Sequence, residues 1–243
     1  SISDIDDRTV ELLKFSKINL ISVGVQSFNE KYLNLLRRRY SHRDIEPAIN
    51  LLKRNDFDLI NIDMMFLFKG QSKKELIDDL QKAYDSGSDQ VTAYPLFTFP
   101  YSEIEKYRKI KNIGMPSIMS RYKYYKIFHD FFIKRDYERV SVWSFKKKEK
   151  KIDFSSVTRE DYLGLGAGAG SKFENIFYFN TFSVKEYEER LNADIIPVSV
   201  SMNIGKSLSK YYRLYWNLYK GHFFKKEMND LMNDFKIRAI LRL

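Results

Sequence analysis

Residues 19–26 read NLISVGVQ, a nearly continuous apolar run rich in β-branched residues, and this run decides the fold. Such a short run is typical of a strand that is buried on both faces. Residues 59–68 (LINIDMMFLF) and 90–99 (QVTAYPLFTF) repeat the pattern, and between the runs residues 42–55 and 73–86 have the apolar spacing of amphipathic helices. Strands that alternate with helices predict an α/β fold with a parallel sheet, either open and doubly wound or part of a barrel. Both architectures bind ligands at the carboxyl ends of their strands.

The second half of the chain breaks this alternation, and its pattern predicts a different architecture. The elements predicted there are a helix over residues 117–135, a strand over 137–145, a glycine-rich segment over 162–173, a helix over 183–191, a strand or linker over 195–201, and helices over 208–220 and 223–235. A domain boundary is predicted near residues 192–202, where the helix gives way to an extended stretch.

The composition excludes several classes of function. The chain contains no cysteine, which rules out a disulfide framework, a thiolate nucleophile, a Cys-ligated zinc site and an iron–sulfur cluster held by this chain alone. No apolar run approaches the roughly 18 residues of a membrane-spanning helix. The 42 Lys and Arg against 32 Asp and Glu give a net charge of +10. Because this excess is spread along the chain, it favours a solvated basic surface over a nucleic-acid site.

Two segments resemble phosphate-binding motifs, but each lacks a neighbouring feature that its motif requires. Residues 164–169, GLGAGA, formally fit a dinucleotide-binding turn, but strand-like residues follow them where that turn requires a helix. Residues 205–207, GKS, follow an apolar stretch as in a P-loop, yet Val200 stands where that loop requires a glycine. The three histidines lie far apart and form no metal-ligand spacing.

Three polar residues indicate a ligand site instead. Gln26 ends a buried strand, Asp63 lies inside another between Ile62 and Met64, and Arg38 follows Gln26 by twelve residues. A buried carboxylate without a partner is costly, so Asp63 has a reason to be there. A carboxylate and an amide suit a ribose diol, and a guanidinium suits a carboxylate, so the three residues together fit a ribosylated zwitterion. The alternative is an ordinary ion pair between Asp63 and Arg38.

Five ordered segments resemble the oxygen-independent coproporphyrinogen III oxidase family of radical S-adenosylmethionine (SAM) enzymes. The segments, each with the family motif that it resembles, are residues 21–29 ISVGVQSFN (SIGVQSFN), 36–41 LRRRYS (LGRxHS), 60–72 INIDMMFLFKGQS (NIDLIYGLPGQT), 89–100 DQVTAYPLFTFP (DHISxYxLxxxP) and 161–171 DYLGLGAGAGS (DYLGLGxGAHS). Each motif alone is a weak signal, but their shared order and spacing cover nearly the whole chain and are specific.

The resemblance implies a fold and a division into domains. Residues 1–115 are expected to form the later part of a partial (β/α)6 radical SAM barrel, which is a TIM-like architecture. Residues 116–192 would form a family-specific α+β extension that contains the glycine-rich segment. Residues 193–243 would start a helical C-terminal domain.

The resemblance also implies a cofactor site. Gln26 and Asp63 would bind the ribose hydroxyls of SAM, and Arg38 its carboxylate. The cysteines that hold the [4Fe-4S] cluster, in a C-x3-C-x2-C motif, would lie upstream of Ser1, so this chain itself has no metal ligands and no catalytic residue is named. The further cofactor-binding candidates, near the substrate or a second SAM, are Gly166, Gly168 and Gly170.

The sequence departs from the family pattern at several positions. Residues 66–71, FLFKGQ, lack a glycine and a proline of the family loop, and Tyr40 and Gly170 stand where the family has histidines. The segment GAGAG, with residues 141–145 (SVWSF) upstream, is closer to the haem-utilisation and methyltransferase branches than to the oxidase itself.

Three functional hypotheses follow from the resemblance and the charge. The first is a cytoplasmic radical SAM oxidoreductase or methyltransferase that acts on a tetrapyrrole or another small molecule, with electrons from a flavodoxin or ferredoxin. The second is a non-catalytic haem-binding chaperone of the same family. The third, and the least favoured, is a nucleic-acid-binding protein that uses the basic charge, for which strongly salt-dependent binding is the minimum signature.

Overall fold

The computed structural model describes residues 1–96, 116–153, 161–221, 231 and 233–241, and these residues fall into two compact units, Ser1–Phe154 and Ser155–Leu243. The elements of the first unit are a short 3-10 helix (Ile2–Asp4), α1 (Asp7–Phe15), β1 (Leu20–Gln26), α2 (Glu30–Leu35), α3 (His42–Lys53), β2 (Leu59–Phe66), α4 (Lys73–Asp85), β3 (Gln90–Pro95), α5 (Ile118–Ile133), β4 (Tyr137–Arg139) and β5 (Ser144–Lys147).

The strands of the first unit form one sheet in the order β1-β2-β3-β5-β4. β2 pairs with β1 on one side and with β3 on the other, both in the parallel direction, and β5 pairs with β3 in the antiparallel direction. The βαβαβ order predicted from the apolar runs is therefore confirmed, with the helices α3 and α4 between the parallel strands. A ladder of this kind brings the carboxyl ends of β1, β2 and β3 to one edge of the sheet.

Serines fix where the two connecting helices begin. Ser41 precedes α3 and accepts a hydrogen bond from the amide of Arg43, while the Asp44 carboxylate accepts one from the Ser41 amide. Ser72 and Glu75 form the same reciprocal box at the start of α4. These boxes satisfy amide groups that a helix terminus leaves without partners, so they set each helix start relative to the strand before it.

The two faces of β1 differ in burial, contrary to the prediction of a strand buried on both sides. Ile21, Val23 and Val25 are buried in the hydrophobic core, whereas Ser22, Gly24 and Gln26 on the opposite face are only half-buried. The apolar run in the sequence conceals this alternation because Gly24 and Ser22 are small. The half-buried face of β1 continues across the sheet and carries the candidate site.

Two secondary-structure predictions for this unit were wrong or incomplete. The strand predicted over 137–145 is a hairpin, β4 paired antiparallel with β5, closed by a hydrogen bond from the Val140 amide to the Ser144 carbonyl (2.9 Å). The alternating pattern does not stop at the turn, because the turn contains the apolar residue Trp143. Its ring packs edge-on against Tyr125, with 5.5 Å between the ring centroids. The helix α2 was not predicted, because six residues are too short to show helical periodicity.

The second unit contains a separate antiparallel sheet. Its elements are β6 (Gly170–Phe173), β7 (Ile176–Asn180), α6 (Val184–Asn192), β8 (Val198–Asn203), α7 (Lys206–Lys220) and α8 (Phe235–Leu241), and the strand order is β6-β7-β8. Gly205 is the N-cap of α7, so it marks the start of a helix and is not part of a phosphate-binding loop. The predicted helix over 223–235 lies mostly outside the described residues.

Candidate functional site

A chain of hydrogen-bonded polar side chains crosses the half-buried face of the first sheet. Asp63 on β2 lies between Gly24 of β1 and Thr92 of β3 in the strand register. Ser22 Oγ donates to Asp63 Oδ2 (3.0 Å), and Asn61 Nδ2 donates to Asp63 Oδ1 (3.0 Å). Thr92 Oγ1 donates to Asn61 Oδ1 (2.8 Å) and so extends the network to β3. This network holds the carboxylate of Asp63 in one orientation.

The carboxyl group of Asp63 has neutral partners only. Burial raises its pKa above the ordinary value, and the hydrogen bonds from Ser22 and Asn61 oppose that rise. Arg38 is exposed and does not pair with Asp63, so the ion pair left open by the sequence is wrong for the part of the chain that the structure describes. Each carboxylate oxygen therefore keeps a lone pair for another donor.

Gln26, the last residue of β1, adopts a backbone conformation that is unusual for a residue with a side chain. Its φ is 66°, and the Ser27 amide donates to the Val25 carbonyl (2.8 Å), which closes a γ-turn around it. The Gln26 side chain lies against Gly24, since a Cβ atom at Gly24 would be 2.7 Å from Gln26 Nε2. Because Gly24 pairs with Asp63 in the register, the amide lies beside the position of Asp63 on the sheet.

The segment that carries Arg38 is attached to the same strand end. Tyr40 is buried, and its hydroxyl lies within hydrogen-bonding distance of the carbonyls of Gly24 (2.9 Å) and Val25 (3.0 Å). Arg38 precedes Tyr40 by two residues, and its amide donates to the Leu33 carbonyl at the end of α2 (3.0 Å). The structure thus brings the backbone of Arg38 to the carboxyl end of β1, near Gln26 and Asp63.

The glycine-rich segment belongs to the second unit and folds back on its own sheet. Gly166 and Gly168 have φ values of 104° and 71°, and the Gly168 amide donates to the Thr181 carbonyl (2.8 Å). Asn180 Nδ2 donates to the carbonyls of Gly164 (3.1 Å) and Gly166 (3.0 Å). The strand β6 begins at Gly170, which confirms that a strand and not a helix follows the glycines. A dinucleotide turn is therefore excluded here.

An apolar groove of about 350 Å³ lies beside the glycine-rich segment. Leu163, Leu165, Ile195 and Ile196 line it, all with exposed side chains. Gly166 N donates to the hydroxyl of Tyr187 at the same groove (2.9 Å). The roles of Gly166, Gly168 and Gly170 toward a cofactor stay predictions, since their conformations are accounted for by packing within the second unit.

Asp79 is a site residue that the sequence reasoning missed. It lies on α4 with only 2% of its surface exposed, and it accepts hydrogen bonds from Ser27 Oγ and from the Phe28 amide (3.1 Å). Burial raises its pKa to about 6. The signal was its spacing: it follows Leu76 by three residues and precedes Ala83 by four, which places a carboxylate on the buried stripe of an amphipathic helix.

The sequence matches the Radical SAM superfamily over residues 2–83. It is 26% identical over 201 residues to the heme chaperone HemW of Lactococcus lactis, which covers 79% of this chain and 53% of that protein. It is 28% identical over 219 residues to the HemW of Buchnera aphidicola from Acyrthosiphon pisum (86% and 57%). It is 21% identical over 208 residues to the oxygen-independent coproporphyrinogen III oxidase of Escherichia coli (78% and 45%).

The solved structure of coproporphyrinogen III oxidase (HemN) from Escherichia coli superposes with a TM-score of 0.73 at 18% identity, over 90% of this chain and 54% of that chain. These comparisons confirm the predicted resemblance to the HemN/HemW-like family of radical SAM proteins. The predicted α/β fold of a TIM-like radical SAM barrel is confirmed. The chain spans about half the length of the curated relatives that it matches.

Radical SAM proteins in general use SAM and a [4Fe-4S] cluster, and the residues of this chain fit these two groups differently. The carboxylate of Asp63, the amide of Gln26 and the guanidinium of Arg38 match the ribose and carboxylate of SAM in donor and acceptor type. The cluster finds no thiolate here, because the 243 residues contain no cysteine. Within the described residues no group of three or more His, Asp or Glu is arranged to hold a metal ion, and no helix is both long and apolar enough to cross a membrane.

Proposed function

We propose that this chain forms the SAM-binding part of a radical SAM protein, with Asp63 and Gln26 on the ribose hydroxyls and Arg38 on the carboxylate. The observation that carries the proposal is the state of Asp63. Its carboxylate is oriented by Ser22 and Asn61, pairs with no cation of the described residues, and faces the half-buried side of the sheet. Such a group is prepared to accept hydrogen bonds from a neutral diol rather than to neutralise a charge.

Each proposed contact follows from donor and acceptor type. A ribose has two adjacent hydroxyls, and the carboxylate of Asp63 accepts from them while the Gln26 amide both donates and accepts. The guanidinium of Arg38 is exposed, and no carboxylate of the described residues occupies it, so it is free to form a forked pair with an amino-acid carboxylate. The γ-turn at Gln26 and the contact of Tyr40 with the end of β1 support this arrangement.

In a radical SAM protein, SAM bound beside a reduced cluster would supply one-electron chemistry that removes a hydrogen atom from an unactivated carbon. We infer an oxidoreductase or methyltransferase acting on a tetrapyrrole or a related small molecule, supplied with electrons by a flavodoxin or ferredoxin. The role of this chain's residues is to bind and orient SAM. The names of the coproporphyrinogen III oxidase relatives support the substrate class.

A haem chaperone is the second candidate, because several relatives, including those from Lactococcus lactis and Bacillus subtilis, are heme chaperones. Both candidates bind SAM, so SAM affinity does not separate them. Formation of 5′-deoxyadenosine together with a modified substrate favours the enzyme. Stoichiometric haem binding without substrate-dependent consumption of SAM favours the chaperone.

The test of the SAM site is the affinity of an Asp63→Ala variant. We expect SAM binding to weaken by about 1–3 kcal/mol, the usual cost of losing a charged hydrogen-bond partner, which is a roughly 5- to 150-fold rise in Kd. The measurement is titration calorimetry on the protein made from its complete coding sequence and reconstituted anaerobically with iron and sulfide.

Asp89→Asn is the matched control. Asp89 is likewise a hydrogen-bonded carboxyl group on this sheet, but it lies at the amino end of β2, where it accepts from the Ile60 amide (2.9 Å) and pairs with Lys150 (3.1 Å). Its substitution should leave SAM affinity unchanged. Equal affinity in wild type and Asp63→Ala would exclude the ribose assignment.

A further inference from the structure

The turn at Gln26 is strained, and a strained conformation persists only where its surroundings hold it. A positive φ is strained in a residue with a side chain, and Gln26 has a φ of 66°. The same turn breaks the ladder between β1 and β2, since the register shifts between Gly24 and Gln26. Without outside contacts, this residue would relax into the extended conformation of the strand before it.

Hydrogen bonds to Asp79, which we call the Asp79 brace, hold the turn from its C-terminal side. The carboxyl group of Asp79, on α4, accepts hydrogen bonds from Ser27 Oγ and from the Phe28 amide, the two residues that directly follow Gln26. Ser27 is fully buried, and its Oγ also accepts from the Asn29 amide (3.0 Å). These bonds fix the direction in which the chain leaves Gln26.

A second brace holds the turn from its N-terminal side. The Tyr40 hydroxyl contacts the carbonyls of Gly24 and Val25, the two residues that directly precede Gln26. Tyr40 lies before α3, so the two braces come from different parts of the chain. Gln26 is therefore fixed on both sides by side chains that do not themselves line the sheet.

The chemistry of Asp79 argues against a role in packing alone. Its neighbours on the buried stripe of α4 are Leu76, Leu80 and Ala83, and an apolar residue there would avoid the loss of solvation. The charged groups that act on it, Lys82 and Asp78, are both on its own helix, and Ser27 and Phe28 bring no charge. Burial thus removes solvation from the Asp79 carboxylate and raises its pKa to about 6. The hydrogen bonds that it accepts there hold the turn that follows Gln26.

We propose that Asp79 and Tyr40 are positioning residues that hold Gln26 in the conformation that binds SAM. The inference rests on the proposed function, because it assigns these residues to the same ligand. Tyr40 acts on two contacts at once, since it also anchors the segment that carries Arg38. Asp79 acts on Gln26 alone, so its loss should leave the contact of Arg38 with the SAM carboxylate intact.

The experiment measures SAM affinity and thermal stability side by side for Asp79→Asn, Ser27→Ala and Tyr40→Phe in the reconstituted protein. We expect Kd to rise about 5- to 30-fold for each, the effect of losing one or two buried hydrogen bonds to the turn. Ser27→Ala removes the same bond from the other partner, so it reports on the Asp79 brace if Asp79→Asn does not fold.

Two matched controls separate positioning from stability. Tyr137→Phe removes a buried hydroxyl that donates to a backbone carbonyl, that of Ser88 (3.2 Å), just as Tyr40→Phe does. Asp89→Asn alters a carboxyl group that accepts from a backbone amide, as Asp79→Asn does. Both controls should lower Tm and leave Kd unchanged.

A double-mutant cycle with Gln26→Gly shows whether the brace acts through Gln26. Glycine removes both the amide and the strain, so Asp79→Asn should cost no further affinity in that background. Brace variants that change Kd no more than the controls, or that add fully to Gln26→Gly, would overturn the inference while Asp63→Ala still weakens binding. If Asp63→Ala is also without effect, the proposed SAM site itself fails.

Discussion

At the scale of single residues, the sequence predicted Gln26, Arg38 and Asp63 as candidates for binding SAM but could not describe their conformations. A polar residue at the end of an apolar run is visible in the letters, whereas a φ of 66° at Gln26 is set by contacts from residues that are distant along the chain. The contacts of Asp79 and Tyr40 with this turn could not be predicted for the same reason. Each looks like an ordinary helix or loop residue until the fold brings it to the end of β1.

Gly24→Ala tests the placement of the Gln26 amide without removing it. The new Cβ would lie 2.7 Å from Gln26 Nε2, the far end of a flexible side chain, so that amide must move while the backbone stays. We expect SAM affinity to fall by about 1 kcal/mol, comparable to one hydrogen bond, as measured by calorimetry. Thermal stability should not fall, because alanine reduces the conformational entropy of the unfolded chain.

Gln26→Ala is the companion variant to Gly24→Ala. If the amide is the group that matters, the two variants should lower affinity by similar amounts and should not add when combined. A Gly24→Ala protein with wild-type affinity would show that the Gln26 side chain does not contact the ligand.

At the scale of elements, hydrophobic periodicity predicted β1, β2, β3, α3 and α4 to within a few residues, because each buries a stripe long enough to leave a pattern. It failed where tertiary contacts decide the structure. The six-residue helix α2 is too short for a pattern, and the hairpin of β4 and β5 was read as one strand because Trp143 in its turn is held by aromatic contacts from α5. The alternation therefore predicted the three parallel strands and the helices between them, but neither α2 nor the turn between β4 and β5.

Gly164→Ala tests the close packing of the glycine-rich segment in the second unit. A Cβ at Gly164 would lie 2.2 Å from the Gly170 carbonyl oxygen, which is backbone at the start of β6 and cannot turn away. We expect the free energy of unfolding to fall by roughly 1–3 kcal/mol, the usual cost of overpacking. Urea unfolding followed by Trp216 fluorescence, in a Trp143→Phe background, reports on this unit.

Gly205→Ala is the control for that substitution. A Cβ at Gly205 meets no atom within 4 Å, so the variant should lose clearly less stability than Gly164→Ala. Equal losses for the two variants would mean that the glycine-rich segment does not need its bare backbone at Gly164.

At the scale of the whole molecule, five ordered motifs predicted the family, while composition set its limits. The resemblance to the family follows from the spacing of these motifs, and the barrel fold expected from it agrees with the structure. The choice between enzyme and chaperone does not follow, because relatives with each name match this chain and the chain spans about half of their length. The absence of cysteine, in contrast, makes a prediction about the chain as a whole.

The chain of 243 residues, produced alone, should form no iron–sulfur cluster. Clusters are held by cysteine thiolates, and this sequence has none, while its three histidines lie far apart in the sequence. After anaerobic reconstitution and desalting, we expect no broad absorbance near 400 nm and no stoichiometric iron or sulfide, whereas protein from the complete coding sequence should show both if cluster cysteines are encoded there. A stoichiometric cluster on the chain alone would contradict the assignment. Any SAM affinity that the chain retains without a cluster must come from its own side chains, so Asp63→Ala should weaken that residual affinity by the same factor of roughly 5 to 150.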